Sequence, residues 1–301
     1  MSSKKLLTIF GASGNQGGSV IDFVLSSGSL QAKYALRGIT RDPSSSKSQA
    51  LASKGVDMVK ADMNDIDSLK TAIRGSYGVF GVTDFWAVLS KEIEVRQGKN
   101  IFDAVKAEGV KHYIWSSLPW TAKVSNGKYT HIDHFDGKAE VEEYVEKGKG
   151  DMIASYFMPA INGTPMLNMP FPDSIAWPLM DPRRDSGKYI MGLFEGGDAA
   201  NGVEVQAVSF WTTPKEVVAA YSKASGRDVV FNTIPGEMFA SYLPENIRDE
   251  LTEMVEYIGE YSYYGKGTEK EQDKHDKWIV PGVVEKVSME EWAQENGPFK
   301  W

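Results

Sequence analysis

The chain has 301 residues, a formal net charge of −8 and no cysteine. Disulfides, thiolate catalysis and zinc–thiolate sites are therefore excluded, and the acidic balance argues against direct contact with nucleic-acid phosphates. No apolar run reaches the ~18 residues that a membrane span needs, and Met1 to Lys5 carries no leader pattern, so the expectation is a cytoplasmic protein, with the nucleus open as a second location, and no membrane contact.

Leu6 to Phe10 is an apolar run that leads directly into Gly11, Gly14 and Gly17, and an apolar-periodic stretch, Val20 to Leu25, follows. The order is strand, glycine turn, helix. In such a turn the first glycine permits the tight bend, the second lets the backbone approach a pyrophosphate, and the third lets the helix pack close to the strand. The free N–H groups and positive dipole at the helix start attract phosphate. Tyr34 to Thr40 reads as the second strand, and its end selects the dinucleotide. A site for NAD usually places Asp or Glu about 20 residues beyond the glycines. Here that region holds Thr40 and Arg41, the arginine standing 24 residues past Gly17. A guanidinium binds a 2′-phosphate through paired, charge-assisted hydrogen bonds, so the expected cofactor is NADP(H), with Lys47 and Ser44 to Ser46 adding to the pocket.

The alternation continues with a helix over Gln49–Lys54 and a strand over Val56–Lys60. Asp62, just past that strand, is placed either to meet an adenine amino group or, with Asn64 and Asp65, to cap the helix Ile66–Ile73. Tyr77–Val82 reads as a strand ending in Thr83-Asp84-Phe85-Trp86, Lys91–Ala107 as a helix and His112–Ser117 as the fifth strand. Strand–helix units of this kind imply a right-handed parallel sheet. Asp133 or Asp136 then starts a helix on which His134 and Lys138, four residues apart, share a face. At the mouth of a dinucleotide crevice a lysine binds the nicotinamide ribose or moves a proton. His134 reads equally as an acid or as a structural histidine. The four histidines show no metal-binding spacing, so no metal is expected.

These segments carry a resemblance. GASGNQGG at 11–18, Thr40-Arg41-Asp42-Pro43, KEIEVRQGKN at 91–100, VKHYIWSSL at 110–118 and HFDGKAEVEEY at 134–144 resemble the NmrA-like family, an atypical branch of the short-chain dehydrogenases/reductases. The resemblance implies NADP(H) held by Gly11, Ser13, Gly14, Asn15, Gln16 and Gly17, with Arg41 on the 2′-phosphate and Thr83, Lys138, Tyr156 and Asn162 lining the nicotinamide side. Ordinary reductases of that superfamily carry a tyrosine four residues before the lysine. Here the position holds His134, and Tyr129 lies nine residues before Lys138, off its face. The missing acid favours a dinucleotide sensor that acts through a regulatory protein partner. The alternative is an NADPH-dependent reductase of a small carbonyl, enone or quinone that uses Lys138, with His134 or Tyr129 as proton source.

Beyond Lys149, Met152–Pro159 reads as a sixth strand, and the Met- and Pro-rich stretch after Ile161 as loop and core. Lys188–Phe194 and Val203–Phe210 read as strands around a glycine-rich turn, and Pro214–Ser225 as a helix closed by Gly226. A strand over Val229–Ile234, helices from Pro235 and over Ile247–Gly259, a charged segment and a short helix after Ser288 complete the reading. The expected fold class is α/β, a Rossmann-type doubly wound parallel sheet with a smaller α+β C-terminal region. Residues 1–155 are assigned to the NAD(P)-binding domain and 156–301 to a smaller region interleaved with it.

Overall fold

The computed structural model describes residues 3–162, 168–283 and 286–297. In chain order the first half comprises β1 (Lys5–Ile9), α1 (Asn15–Ser26), α2 (Gly28–Lys33), β2 (Tyr34–Thr40), α3 (Ser46–Ala52), β3 (Asp57–Lys60), α4 (Ile66–Ile73), β4 (Gly78–Gly81), α5 (Phe85–Val88), α6 (Lys91–Ala107), β5 (His112–Ser116), α7 (Thr121–Val124), α8 (Asp133–Gly148) and β6 (Ile153–Pro159). There follow β7 (Ile161–Asn162), β8 (Asn168–Met169), β9 (Trp177–Met180), α9 (Pro182–Gly196), β10 (Val203–Ala207), β11 (Phe210–Thr212), α10 (Pro214–Ser225), β12 (Asn232–Thr233), α11 (Gly236–Ser241), α12 (Glu245–Tyr261), α13 (Gln272–Asp276) and α14 (Met289–Asn296).

Seven parallel strands form the central sheet in the order β10-β6-β5-β4-β1-β2-β3. It is a Rossmann-like α/β sheet, in which β6 runs through residue 155 and β10 comes from beyond it. The order reverses between β1 and β4, which opens a crevice at the carboxyl ends of those strands. Helices cover both faces. Phe10, Tyr113, Trp115 and Tyr156 pack under α4, α6 and α8, while Leu7, Ile9, Phe80 and Phe157 meet α1 and α9. A three-stranded sheet, β11-β9-β7, and the pair β12-β8 carry the remaining strands. No helix among the described residues is long and apolar enough to cross a membrane.

Three expected elements of the C-terminal half differ. Lys188–Phe194 is helical, inside α9, because Asp181 accepts from the backbone N–H groups of Arg183 and Arg184 and Pro182 opens the first turn. Tyr189 to Phe194 is buried all round, so no polar face betrays the helical period. The close fit to α1 depends on small residues: the Gly187 N–H donates to Ser19 Oγ at 2.9 Å, and a Cβ on Gly187 would lie 2.5 Å from the Ser19 carbonyl oxygen. Val203–Phe210 is broken at Ser209, whose hydroxyl binds Asp185 and accepts from the Asp181 N–H at the head of α9. The chain thereby leaves the central sheet after Ala207 and enters the smaller one at Phe210. Of Val229–Ile234 only Asn232–Thr233 pairs as strand, since the Val229 N–H is taken by Ser222 Oγ of α10.

Candidate functional site

A cleft of about 680 Å³ occupies the crevice beside β1. Gly11 turns the chain at φ +61°, and Gly14 stands immediately before α1 with its N–H on the Gly11 carbonyl at 2.8 Å. A Cβ on Gly17 would sit 2.5 Å from the Gly11 carbonyl oxygen and closer still to that of Phe10. Any larger residue there would push α1 off its strand. Gly11, Ser13, Gly14, Asn15, Gln16 and Gly17 all line the cleft, and the Gln16 side chain is fixed by the Ser116 hydroxyl, which donates to its Oε1 at 2.8 Å. A helix N-terminus framed by glycines is suited to a diphosphate.

On the β2 side Thr40, Arg41, Asp42 and Ser45 form the wall. Arg41 is exposed, and among the described residues no hydrogen bond or ion pair engages its guanidinium. Asp42 does not neutralise it, because that carboxylate accepts from the Ser44 N–H at 2.9 Å and the Ser44 hydroxyl at 2.6 Å, which hold it below its ordinary pKa. Lys47 stands exposed on α3 and is not part of this wall; Ser45, which caps that helix, takes its place. The two readings of Asp62 separate as well. Asp65 caps α4, whereas Asp62 lines the cleft and accepts from the Asn64 backbone and side-chain N–H groups at 2.9 and 3.0 Å.

The other end of the cleft departs further from expectation. Thr83 lines it, but Lys138 is only 9% exposed and lies behind it. The Lys138 ammonium donates to Glu94 Oε1 at 2.6 Å, to Thr83 Oγ1 at 2.9 Å and to the Thr83 carbonyl at 3.2 Å. All three of its donors are engaged. The Thr83 hydroxyl in turn donates to Glu94 Oε1 at 2.8 Å. The lysine is thus an internal ion pair that shapes the wall, not a free cation in the cleft.

His134 is also buried. Its backbone N–H donates to Glu250 Oε1 at 2.8 Å, and its ring Nδ1 lies 2.5 Å from the same oxygen. Phe85, Trp86 and Phe135 pack around the imidazole, with Trp86 at 5.0 Å between centroids. The other ring nitrogen, Nε2, makes no hydrogen bond among the described residues. Asp136 does not start the helix; it lies inside α8 and clamps the start of α7 by accepting from the Thr121 N–H at 2.7 Å and hydroxyl at 2.8 Å.

Two tyrosines fall outside the cleft. Tyr156 sits in mid-strand with its side chain under α8, where its hydroxyl donates to Glu146 Oε1 at 2.7 Å and burial holds its pKa far above normal. Tyr129 donates to Glu260 Oε2 at 3.0 Å and packs edge-on to Tyr257 and Tyr261. Asn162 belongs to β7, and its side chain lies outside the described residues. Glu94 and Glu250 are the site residues that sequence reasoning missed. For Glu94 a signal existed: Glu94, Gln97, Gly98 and Ile101 form the buried stripe of α6, so a carboxylate at that spacing required a buried partner. Glu250 offered none, since its partner lies on α8, far away in sequence.

A parallel sheet with a glycine turn at its switch point defines the Rossmann-type dinucleotide class. Comparison with known proteins narrows the class. The NmrA-like family model matches residues 3–293. The NmrA-like family domain-containing oxidoreductase himF of Aspergillus japonicus is 30% identical over 303 residues, covering 89% of this chain and 88% of that protein. The corresponding malD protein of Malbranchea aurantiaca is 34% identical over 201 residues, 65% of this chain but only 58% of its own length. The crystal structure of NmrA, a negative transcriptional regulator, in complex with NADP superposes with a TM-score of 0.79 at 21% identity, covering 98% of this chain and 96% of that one. The chain belongs to the NmrA-like family.

Proposed function

We propose that this protein binds NADP(H) in the cleft and reduces a small carbonyl, enone or quinone, with His134 as the proton source. The cofactor half of the reading is supported by the glycine turn, by the unpaired Arg41 guanidinium and by the NADP complex of NmrA. The observation that carries the catalytic half is the His134 ring: it lies four residues before Lys138 in the sequence, the spacing of the superfamily's acid, sits behind the cleft lining against Phe85 and Trp86, and has Nε2 without a hydrogen-bond partner among the described residues. Relatives named as oxidoreductases lend it further support. When bound, NADPH supplies the hydride. Gly11 to Gly17 hold the diphosphate, Arg41 holds the 2′-phosphate and His134 delivers a proton to the acceptor's oxygen. Lys138 cannot donate to a ligand without leaving Glu94 or Thr83, so its role here is to fix the Thr83 wall.

That same engagement of Lys138 favours a second reading, a dinucleotide sensor that signals through a protein partner. One experiment separates them. The purified protein is incubated with NADPH and a panel of quinones, enones and aldehydes while cofactor oxidation is followed. Oxidation above background on any class is the expected result. Tight NADPH binding with no oxidation across the panel would leave the sensor.

A further inference from the structure

We infer that Glu250, on the C-terminal helix α12, is the positioning residue for His134: it holds the imidazole with its proton on Nδ1 and thereby directs Nε2 to the reacting group. The inference rests on the oxidoreductase reading above for its kinetic arm alone. The geometry is specific. One carboxylate oxygen of Glu250 receives both the backbone N–H of His134 and its Nδ1, at 2.8 and 2.5 Å, so ring and main chain are pinned to a single atom. Both side chains are largely buried, at 10% and 13% exposure, and the contact is correspondingly little screened by solvent. Phe85, Trp86 and Phe135 pack against the ring and add to the hold of that contact on its orientation. A histidine whose Nδ1–H is held by a carboxylate presents its other nitrogen as the exchanging one.

The neighbouring contacts show that the helix is held to this spot. Glu253 accepts from the Thr130 and His131 N–H groups at 3.0 and 2.8 Å, and Lys128 pairs with Glu260. Glu250 is therefore not needed merely to hold α12 in place, and Phe85 and Trp86, which touch its histidine, directly follow Thr83-Asp84 of the cleft wall. In the step itself the Nε2–H bond of protonated His134 would break and its proton pass to the acceptor's oxygen, the balancing hydride for the acceptor's carbon being what bound NADPH would supply. Neutral imidazole remains with Nδ1–H on Glu250, and a solvent proton restores Nε2.

Two measurements test the inference. In protein labelled with ¹⁵N-histidine, multiple-bond proton–nitrogen spectra report the tautomer of each of the four histidines, and His134→Asn identifies the relevant signals. The expected result is neutral His134 in the Nδ1–H form in the wild type and a mixture in Glu250→Ala. An Nε2–H form in the wild type, or identical spectra in the two proteins, would overturn it whether or not any substrate is turned over. The second measurement uses Glu250→Gln, whose amide oxygen still accepts both N–H groups but carries no charge. A purely structural glutamate predicts unchanged kcat. The positioning role predicts that kcat falls by roughly 10-fold in Glu250→Gln and 100-fold in Glu250→Ala, toward the lower end of what a placed general acid contributes, with KM for NADPH unchanged. A wild type inactive on every acceptor defeats the functional reading and leaves the tautomer measurement to decide Glu250.

Discussion

The two ends of the cleft each carry a cation that the sequence marks for the cofactor, and the fold treats the two in opposite ways. Arg41 is exposed on the β2 side with no protein partner among the described residues, whereas Lys138 is buried with all three of its ammonium protons engaged. What separates them is the nearest carboxylate. Asp42 is engaged by its own Ser44 and makes no ion pair with Arg41, while Glu94 is aimed at Lys138 from the buried stripe of α6. A cation is available to a ligand only when no internal anion has already claimed it.

The largest effect expected from this contrast is on stability. Glu94 is wholly buried and its second oxygen, Oε2, has no hydrogen-bond partner among the described residues. Removing Lys138 would leave an uncompensated charge in the core. Lys138→Ala should therefore lower the unfolding free energy by about 3–5 kcal/mol in denaturant titrations. Replacing both partners, Lys138→Met with Glu94→Gln, should restore a large part of the loss. A Lys138→Ala protein of wild-type stability that merely loses cofactor affinity would reverse the contrast and return the lysine to the cleft.

His112 sharpens the same point, because it is a buried basic group with no carboxylate in contact. It lies on β5 against Phe194, its Nδ1 makes no hydrogen bond among the described residues, and burial pushes its pKa down to about 4 from 6.5. Lys5 adds to that depression. The folded protein refuses a proton that the unfolded chain accepts, so the stability is present above pH 6.5 and is lost as pH falls towards 4. The shift corresponds to about 3 kcal/mol over that window. Comparing the pH dependence of unfolding for the wild type and His112→Leu isolates this component from the carboxylates, and the variant should lose less stability on acidification. Equal slopes would mean that His112 titrates freely in the fold.

How much of this was legible follows one physical rule, the distance in sequence over which a feature is determined. The glycine turn is local: Gly11 bends the chain after the strand and Gly17 packs the helix close against it, so spacing alone specifies these two structural roles. Arg41 is nearly as local, being fixed by the end of β2. The engagement of Lys138 depends on Glu94, 44 positions away, and that of His134 on Glu250, 116 positions away, and no periodicity encodes such pairings. The misread of Lys188–Phe194 has a different origin. The Tyr189–Phe194 stretch, buried against α1 on one side and the Trp278 segment on the other, has no polar face, and its composition then resembles an interior strand.

The smallest effect expected is at the exposed end, and it is the most selective. Arg41 contributes nothing to the fold that the structure records, so Arg41→Glu should leave the unfolding free energy within about 0.5 kcal/mol of wild type. Charge-assisted hydrogen bonds to a phosphate are worth about 1.5–3 kcal/mol, so NADPH binding should weaken by roughly 10- to 100-fold. NADH, which lacks the 2′-phosphate, should bind as before. Titration of both dinucleotides against wild type and variant gives four affinities, and the ratio of ratios isolates the guanidinium from any general disturbance of the cleft. Equal losses for the two would remove Arg41 from the 2′-phosphate and leave the contrast with Lys138 without its exposed half.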